Sequence, residues 1–450
     1  MGITVIQKSD PTVRKRNAKV ALVLAGGALT GGAFKLGGLK ALDDFLINRK
    51  VTDFDIYVGL SAGAMLGAPL AAGVTPTEML RALDGSSVQF TRFRPTDFYA
   101  LNVGEMVSRP IDYFLDLVTY VPGILVDLLA DSHNLRERLA PALANLRARP
   151  SLAALQDVAA PVIDALLARR LPLPHHYLPS GIFDNSRIER YLRHNLERNG
   201  LPNDFRSLYR HTGKALYITA MNLDTAERVV FGHDEDCSLT VSEAVQASTA
   251  LPGFYRPARI NGIDYVDGGV RRTASIDVAI EHGADLVICY NPFRPFMNRV
   301  VHRYEPETGT FKTEGVPLAD QGVITVLNQV FRTLLHSRLQ YGLRQYQQDR
   351  NFHGDIVVIE PTERDTRFFG MNPLAFWEGP KAGRHGYVSV TQSIETHYDV
   401  IKQILQSYGI LMTRREVREG LERMRRFGAG SDEADDVLLR EVPRRQLDVA

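Results

Sequence analysis

Cysteine is nearly missing from this chain: Cys237 and Cys289 are the two among 450 residues. Both fall in or beside apparent strands, so the expectation is two buried, unlinked thiols, as a reducing compartment favours. An excess of charge is missing too. With 53 Lys and Arg against 52 Asp and Glu the net charge is +1, which gives no electrostatic reason to expect nucleic acid, since that usually calls for a clearly basic face. Long apolar runs are absent. LVTYVPGILV at 117–126, bracketed by Asp116 and Asp127, is about half a membrane span. The first nineteen residues hold no apolar stretch ahead of Arg14-Lys15-Arg16, which argues against a secretory leader. Gly2 follows Met1, but Ile6 stands where a myristoylation signal carries Ser or Thr. The expected location is therefore cytoplasmic, with peripheral contact at a membrane surface left open. Clustered metal ligands are lacking as well. His175 and His176 are adjacent, so they do not converge on one ion, and no further ligand is spaced nearby. Neither a metal nor another cofactor is expected.

What is present reads as an ordinary globular chain, 44% apolar and 23% charged, with enough length for a sizeable core. KVALVLAGG at 19–27 has the form of a buried strand running into a glycine turn. GAFKLGGLKALDDFL follows it with Leu36, Leu39, Leu42 and Leu46 at helical spacing. FDIYVGL at 54–60 is a second strand, ending at Ser61, and AGAMLGAPLAAG a second helix. Strand, helix, strand, helix predicts an α/β fold with a mainly parallel sheet. Residues 100–180 change character. They are rich in Leu and Ala and punctuated by Pro110, Pro122, Pro141, Pro150, Pro161, Pro172 and Pro174. Because proline ends or kinks a helix, this predicts an inserted cap of short helices. A capped helix beginning at Asp184 or Ser186 comes next. Strands return at KALYITAMNL and AERVVFG, at the ARINGIDYV hairpin with its Asn261-Gly262 turn, and at ADLVICY and GDIVVIEP. A helix over 322–339 lies between the last two. After 412 charge rises sharply, as in a solvated helix and tail. No internal repeat is evident. The expected organisation is an N-terminal segment at 1–18, a catalytic domain at 19–361 with its insertion at about 100–180, and a C-terminal extension at 362–450.

Three short patterns carry chemistry. GLSAG at 59–63 fits G-x-S-x-G, in which a serine on a sharp strand-to-helix turn exposes its hydroxyl and Gly59 and Gly63 avoid a clash. The helix after it aims amides and its positive dipole end at developing negative charge. AGGALTGG at 25–32 lets backbone N–H groups approach an oxygen closely. As a nucleotide loop it fails: no Lys-Ser or Lys-Thr follows, and Ala28 stands where G-x-G-x-x-G has its middle glycine. As an oxyanion hole it needs only aimed amides, which contribute roughly 3–4 kcal/mol to barrier lowering. YVDGGV at 265–270 places Asp267 before Gly268 and Gly269. Alone this is an ordinary turn, but a serine nucleophile needs a base, and a carboxylate serves.

Chain order separates two architectures. An α/β-hydrolase carries its elbow later and a histidine after the acid. Here the elbow follows the second strand, and His302, His336, His353, His385 and His397 share no motif. A Ser-Asp dyad explains the sequence with fewer assumptions. The glycine loop, GLSAG, QASTALPGFYRPARINGIDYVDGG at 246–269 and IDVAIEHGADLVICY after it resemble patatin-like phospholipases. The resemblance covers about 19–100 and 181–295 well and 322–361 loosely. It implies a three-layer α/β fold, no metal in the chemistry, and hydrolysis of acyl esters in lipid or phospholipid. It makes Ser61 the nucleophile, Asp267 the base, and the amides near Gly26, Gly27 and Ala28 the oxyanion hole, with Gly31 and Gly32 completing the loop motif. Two departures stand out: Ala28 replaces the family's third glycine and Thr30 its basic residue. Arg271 and Arg272 follow Asp-Gly-Gly where the family tends to uncharged residues; they either face a phosphate head group or form surface ion pairs. The rival functions are an acyltransferase or thioesterase with the same dyad, and a lipid-binding protein with a vestigial site. In the insertion, Leu117, Val118, Val121, Ile124, Leu125, Leu128 and Leu129 offer an apolar surface either for lipid or for packing over the site. Oligomeric state has no sequence signal.

Overall fold

The computed structural model describes residues 2–130, 132–168, 174–306, 309–427 and 432–443. It forms two compact units, Met1–Ala100 with Asp184–Ala450, and Leu101–Phe183.

The larger unit is built on one nine-stranded sheet. Its strands are β1 (Ile3–Gln7), β2 (Val20–Leu24), β3 (Ile56–Gly59), β4 (Ala215–Asn222), β5 (Arg228–Phe231), β6 (Ala258–Ile260), β7 (Ile263–Asp267), β8 (Leu286–Tyr290) and β9 (Asp355–Ile359). Across the sheet the order is β1-β9-β8-β2-β3-β4-β7-β6, with β5 pairing β4. The middle, β9-β8-β2-β3-β4, is parallel, and the remaining pairings are antiparallel. Every residue of β2, β3, β8 and β9 is buried. Strands covered on both faces read as continuous apolar runs, which is why VALVL, LVICY and DIVVI were legible. Register levels the chain ends that matter. Leu24 lies beside both Gly59 and Tyr290, Gly59 beside Ile218, and Asp267 opposite Ala220. The glycine loop, the elbow and Asp267 therefore leave the sheet along one edge, the carboxyl ends of the parallel strands, where α/β sheets bind ligands.

The helices that frame this edge are α1 (Ala28–Phe45), α2 (Ala62–Ala71), α3 (Pro76–Asp84), α4 (Ser186–Arg198), α5 (Val241–Thr249) and α6 (Gly379–Thr396). The leucine stripe predicted one covered face for α1, but 15 of its 18 residues are buried, Lys35, Lys40 and Asp44 among them. The opposite face is closed by α6, backbone on backbone. A Cβ at Gly37 would lie 1.8 Å from the Gly383 carbonyl oxygen, and one at Gly386 2.0 Å from that of Phe34.

Several expectations need correction. Residues 3–7 of the N-terminal segment form β1, an edge strand antiparallel to β9. Asn185, not Asp184 or Ser186, holds the cap position of α4, and it makes no side-chain cap bond; the Asp184 carboxylate accepts from the Ser186 amide instead. A hairpin, Val301–Glu305 with Thr310–Glu314, separates β8 from the next helix, which runs over Val323–Gln348. In the smaller unit the helices are longer than proline punctuation suggests: Val103–Ala130, Ser132–Ala148 and Leu152–Ala168. Pro110 and Pro122 lie inside the first, Pro141 inside the second and Pro161 inside the third. An interior proline removes one backbone bond at a cost of about 3 kcal/mol, and a helix of 17 residues or more retains the others on either side. The side chains of Val121, Ile124, Leu125, Leu128, Leu129, His175 and His176 lie outside the described residues. No helix among the described residues is long and apolar enough to cross a membrane.

Candidate active site

The turn after β3 is strained where the chemistry needs it. Ser61 has φ 53° and ψ −129°, a conformation that costs a non-glycine residue about 1–3 kcal/mol and persists only when its surroundings enforce it. Two glycines make the turn sterically feasible. A Cβ at Gly59 would come within 2.6 Å of Ala64 Cα, and one at Gly63 within 2.0 Å of the Leu24 carbonyl oxygen. The Ser61 amide donates to Ser248 Oγ at 2.8 Å, and Ser248 Oγ donates to the Thr219 carbonyl at 2.7 Å. Thus α5 and β4 pin the elbow from behind, and the amide of Ser61 itself is spoken for.

Asp267 ends β7 and is held just as firmly. Its amide donates to the Ala250 carbonyl at 3.0 Å, and its Oδ1 accepts from the Gly269 amide at 2.8 Å. Gly268 is required here because a Cβ would sit 2.5 Å from the Thr219 carbonyl oxygen. Ser61 and Asp267 are 8% and 4% exposed, and the Ser61 side chain is near enough to the carboxylate to favour its ionised form. Burial pushes the Asp267 carboxyl up to about 6, against the opposing pulls of the Ser61 hydroxyl, the Gly269 amide and the Lys35 charge. A carboxylate so tuned accepts a proton more readily than an ordinary aspartate while remaining ionised at neutral pH.

The glycine loop joins β2 to α1. Gly27 has φ 154°, and a Cβ there would lie 2.7 Å from Pro292 Cγ, so glycine is needed twice over. Ala28 has φ 53°, a left-handed conformation costing an L-residue about 1–2 kcal/mol. Gly32 lies against α2, its would-be Cβ 3.3 Å from Ala62 Cβ, while Gly31 has room for one at 3.7 Å. The amides of Leu29 and Thr30 donate to the Pro373 carbonyl at 3.0 and 3.2 Å. Among the described residues, the amides of Gly26, Gly27 and Ala28 have no such partner.

A cavity of about 140 Å³ opens beside Ser61. Ala28, Ala62, Leu36, Met65, Phe90, Phe93, Ile188 and Tyr191 line it with the serine. Tyr191 stacks on Phe93 with ring centroids 4.0 Å apart and donates its hydroxyl to the Thr91 carbonyl at 2.7 Å, so its polar end is already satisfied. The walls are apolar, as a hydrocarbon chain requires. Leu374 and Phe376, from the segment preceding α6, close part of the wall.

Sequence reading found the residues on strand ends and missed those that support them: Lys35, Ser248 and Pro373. Ser248 lay within the quoted 246–269 segment, but nothing local marks a serine that reaches an elbow 187 residues earlier. Arg272 lies 3.7 Å from Asp277, and Arg271 is exposed. Both cysteines are free thiols, Cys289 fully buried. Among the described residues no cluster of three or more His, Cys, Asp or Glu is arranged to hold a metal ion.

A model of the patatin-like phospholipase family matches residues 22–280. A curated protein of Invertebrate iridescent virus 6, named "Probable lipid hydrolase 463L", is 24% identical over 104 residues, 23% of this chain and 36% of the relative. The chain thus spans about a third of that relative's length. Among solved structures, VipD from Legionella pneumophila is similar at 15% identity and a TM-score of 0.35, over 92% of this chain and 76% of that one. Human GIVD cytosolic phospholipase A2 is similar at 10% identity and a TM-score of 0.27, over 87% and 59%. Scores this low carry no argument. The family match does, because it runs from β2 through the elbow, Asp267 and the helix Ile276–Glu281, more than half of the chain: the chain belongs to the patatin-like phospholipase family.

Proposed function

We propose that this protein is a lipid acyl hydrolase of the phospholipase A or lysophospholipase type, cleaving carboxylic esters with a Ser61–Asp267 dyad. The observation that carries the reading is the strained Ser61, beside the buried Asp267 carboxylate and in the wall of an apolar cavity. Ser61 Oγ attacks the ester carbonyl carbon as its proton passes to Asp267. The carbonyl oxygen becomes an oxyanion held by the amides of Gly26, Gly27 and Ala28. Collapse breaks the bond to the alcohol oxygen, which leaves with the proton from Asp267, and an acyl-enzyme remains. Water then attacks the acyl carbon, giving its proton to Asp267. The second collapse releases the fatty acid and returns the proton to Ser61 Oγ. No step calls for a metal or other cofactor.

Fatty acid released from phospholipid and lysophospholipid vesicles by the wild type and by Ser61→Ala tests the reading. Release by the wild type alone supports it. Release by both at equal rates removes Ser61 from the chemistry.

A further inference from the structure

Lys35 is a cation with no role in the chemistry above. It lies on the second turn of α1, is wholly buried, and donates from Nζ to the carbonyl oxygens of Ala25 and, at 3.1 Å, Gly26. These two carbonyls belong to the peptide units whose N–H groups are those of Gly26 and Gly27. In a planar trans peptide the oxygen and the hydrogen point to opposite sides. Fixing both oxygens on one ammonium therefore turns both N–H groups the other way. A glycine pair has little conformational preference of its own, so the loop needs such an anchor.

We propose that Lys35 is a positioning residue for the oxyanion hole: its ammonium, bound to the Ala25 and Gly26 carbonyls, aims the amides of Gly26 and Gly27 and strengthens them as donors. This rests on the dyad reading above. The strengthening is electrostatic. A cation on a carbonyl polarises the whole amide, and hydrogen bonds to ionised groups are the strong ones in a low-dielectric site. Burying an ammonium is costly unless it is paired. Here two carbonyls and the nearby Asp267 carboxylate provide the compensation, while burial draws the ammonium down to about 7. Lys35 reaches neither Ser61 nor an ester. Its effect passes entirely through the backbone of the loop.

The test uses the full chain at about pH 6.5, between the values for Asp267 and Lys35 so that both are mostly charged, with Lys35→Met and Lys35→Gln, a short soluble ester, and a trifluoromethyl ketone, which adds to the serine as a tetrahedral oxyanion. With the donors misaimed, Lys35→Met loses about 100-fold in kcat, the scale of one lost oxyanion donor. Its KM stays within about threefold, because the ground-state ester draws little on the hole. The ketone's inhibition constant rises by the factor that kcat/KM falls. Lys35→Gln retains one neutral donor, falls between the two, and carries the test where the methionine variant does not fold. Either folded variant turning over at the wild-type rate overturns the proposal. A fall in kcat without the parallel rise in inhibition constant overturns it too, since damage elsewhere does not track oxyanion binding. Ser61→Ala measured alongside separates the two readings. Turnover independent of Ser61 sinks the dyad, whereas Ser61-dependent turnover left intact by Lys35→Met sinks only the role of Lys35.

Discussion

Asp267→Asn should inactivate the protein and stabilise it. The carboxyl is fully buried, and burial raises it from 3.8 to about 6. A group whose folded pKa is raised contributes stability that is complete below its unfolded pKa and lost as pH rises through the folded one. For Asp267 that loss falls between about pH 4 and pH 6. Two units at 1.36 kcal/mol each give about 3 kcal/mol as the ceiling at pH 8. Asparagine removes the charge and keeps Oδ1 as acceptor for the Gly269 amide, whose bond is 2.8 Å. For 450 residues, unfolding entropy of about 2 cal/mol/K per residue converts the ceiling to about 3 °C in Tm. Thermal unfolding of wild type and Asp267→Asn at pH 4.5 and pH 8 measures it. The variant's advantage should be small at pH 4.5, where only part of the loss has occurred, and largest at pH 8, with ester hydrolysis lost at both. A variant less stable than wild type at pH 8 would refute the reasoning, since the ionised carboxylate would then be a net stabiliser.

Other outcomes follow from the same geometry. Hydrolysis of a soluble ester by the wild type should decline as pH falls through about 6, where Asp267 takes up a proton and ceases to act as base; a rate flat from pH 5 to pH 8 would contradict this. Gly63→Ala should abolish activity and lower soluble yield, its Cβ being 2.0 Å from the Leu24 oxygen, whereas Gly31→Ala, with 3.7 Å of room inside α1, should keep activity and gain about 0.5–1 kcal/mol in denaturant unfolding. Ala28→Gly should stabilise by about 1 kcal/mol, by removing a left-handed alanine. Treatment with EDTA should leave hydrolysis of the soluble ester unchanged, and a loss restored by added metal would contradict the mechanism.

The elements that the sequence showed are those whose cause is local. Strands β2, β8 and β9 are covered on both faces, so burial and composition coincide, and their alternation with helices predicts the mainly parallel sheet that is found. The elbow and the Asn261-Gly262 hairpin are likewise local, since positive φ at Ser61, Asn261 and Gly262 leaves a mark on residue choice. What escaped depends on distant chain. The covering of α1 on its second face needs α6, about 350 residues later, and a stripe of leucines carries no sign of it. Strand β1 forms only because β9 offers an edge. The Pro373 carbonyl that removes the Leu29 and Thr30 amides from the donor set comes from a loop with no motif. Lys35 was hidden by its type. A lysine on a helix reads as solvated, and only the position of its Nζ beneath the glycine loop shows otherwise.

Intact-mass and peptide analysis after treating the folded chain with a fluorophosphonate probes the dyad most directly. With Ser61 as nucleophile and Asp267 as its base, the wild type gains one adduct, located on Ser61. Ser61→Ala gains none, and Asp267→Asn reacts far more slowly. A folded wild-type chain that stays unlabelled, or one labelled at a residue other than Ser61, contradicts the assignment.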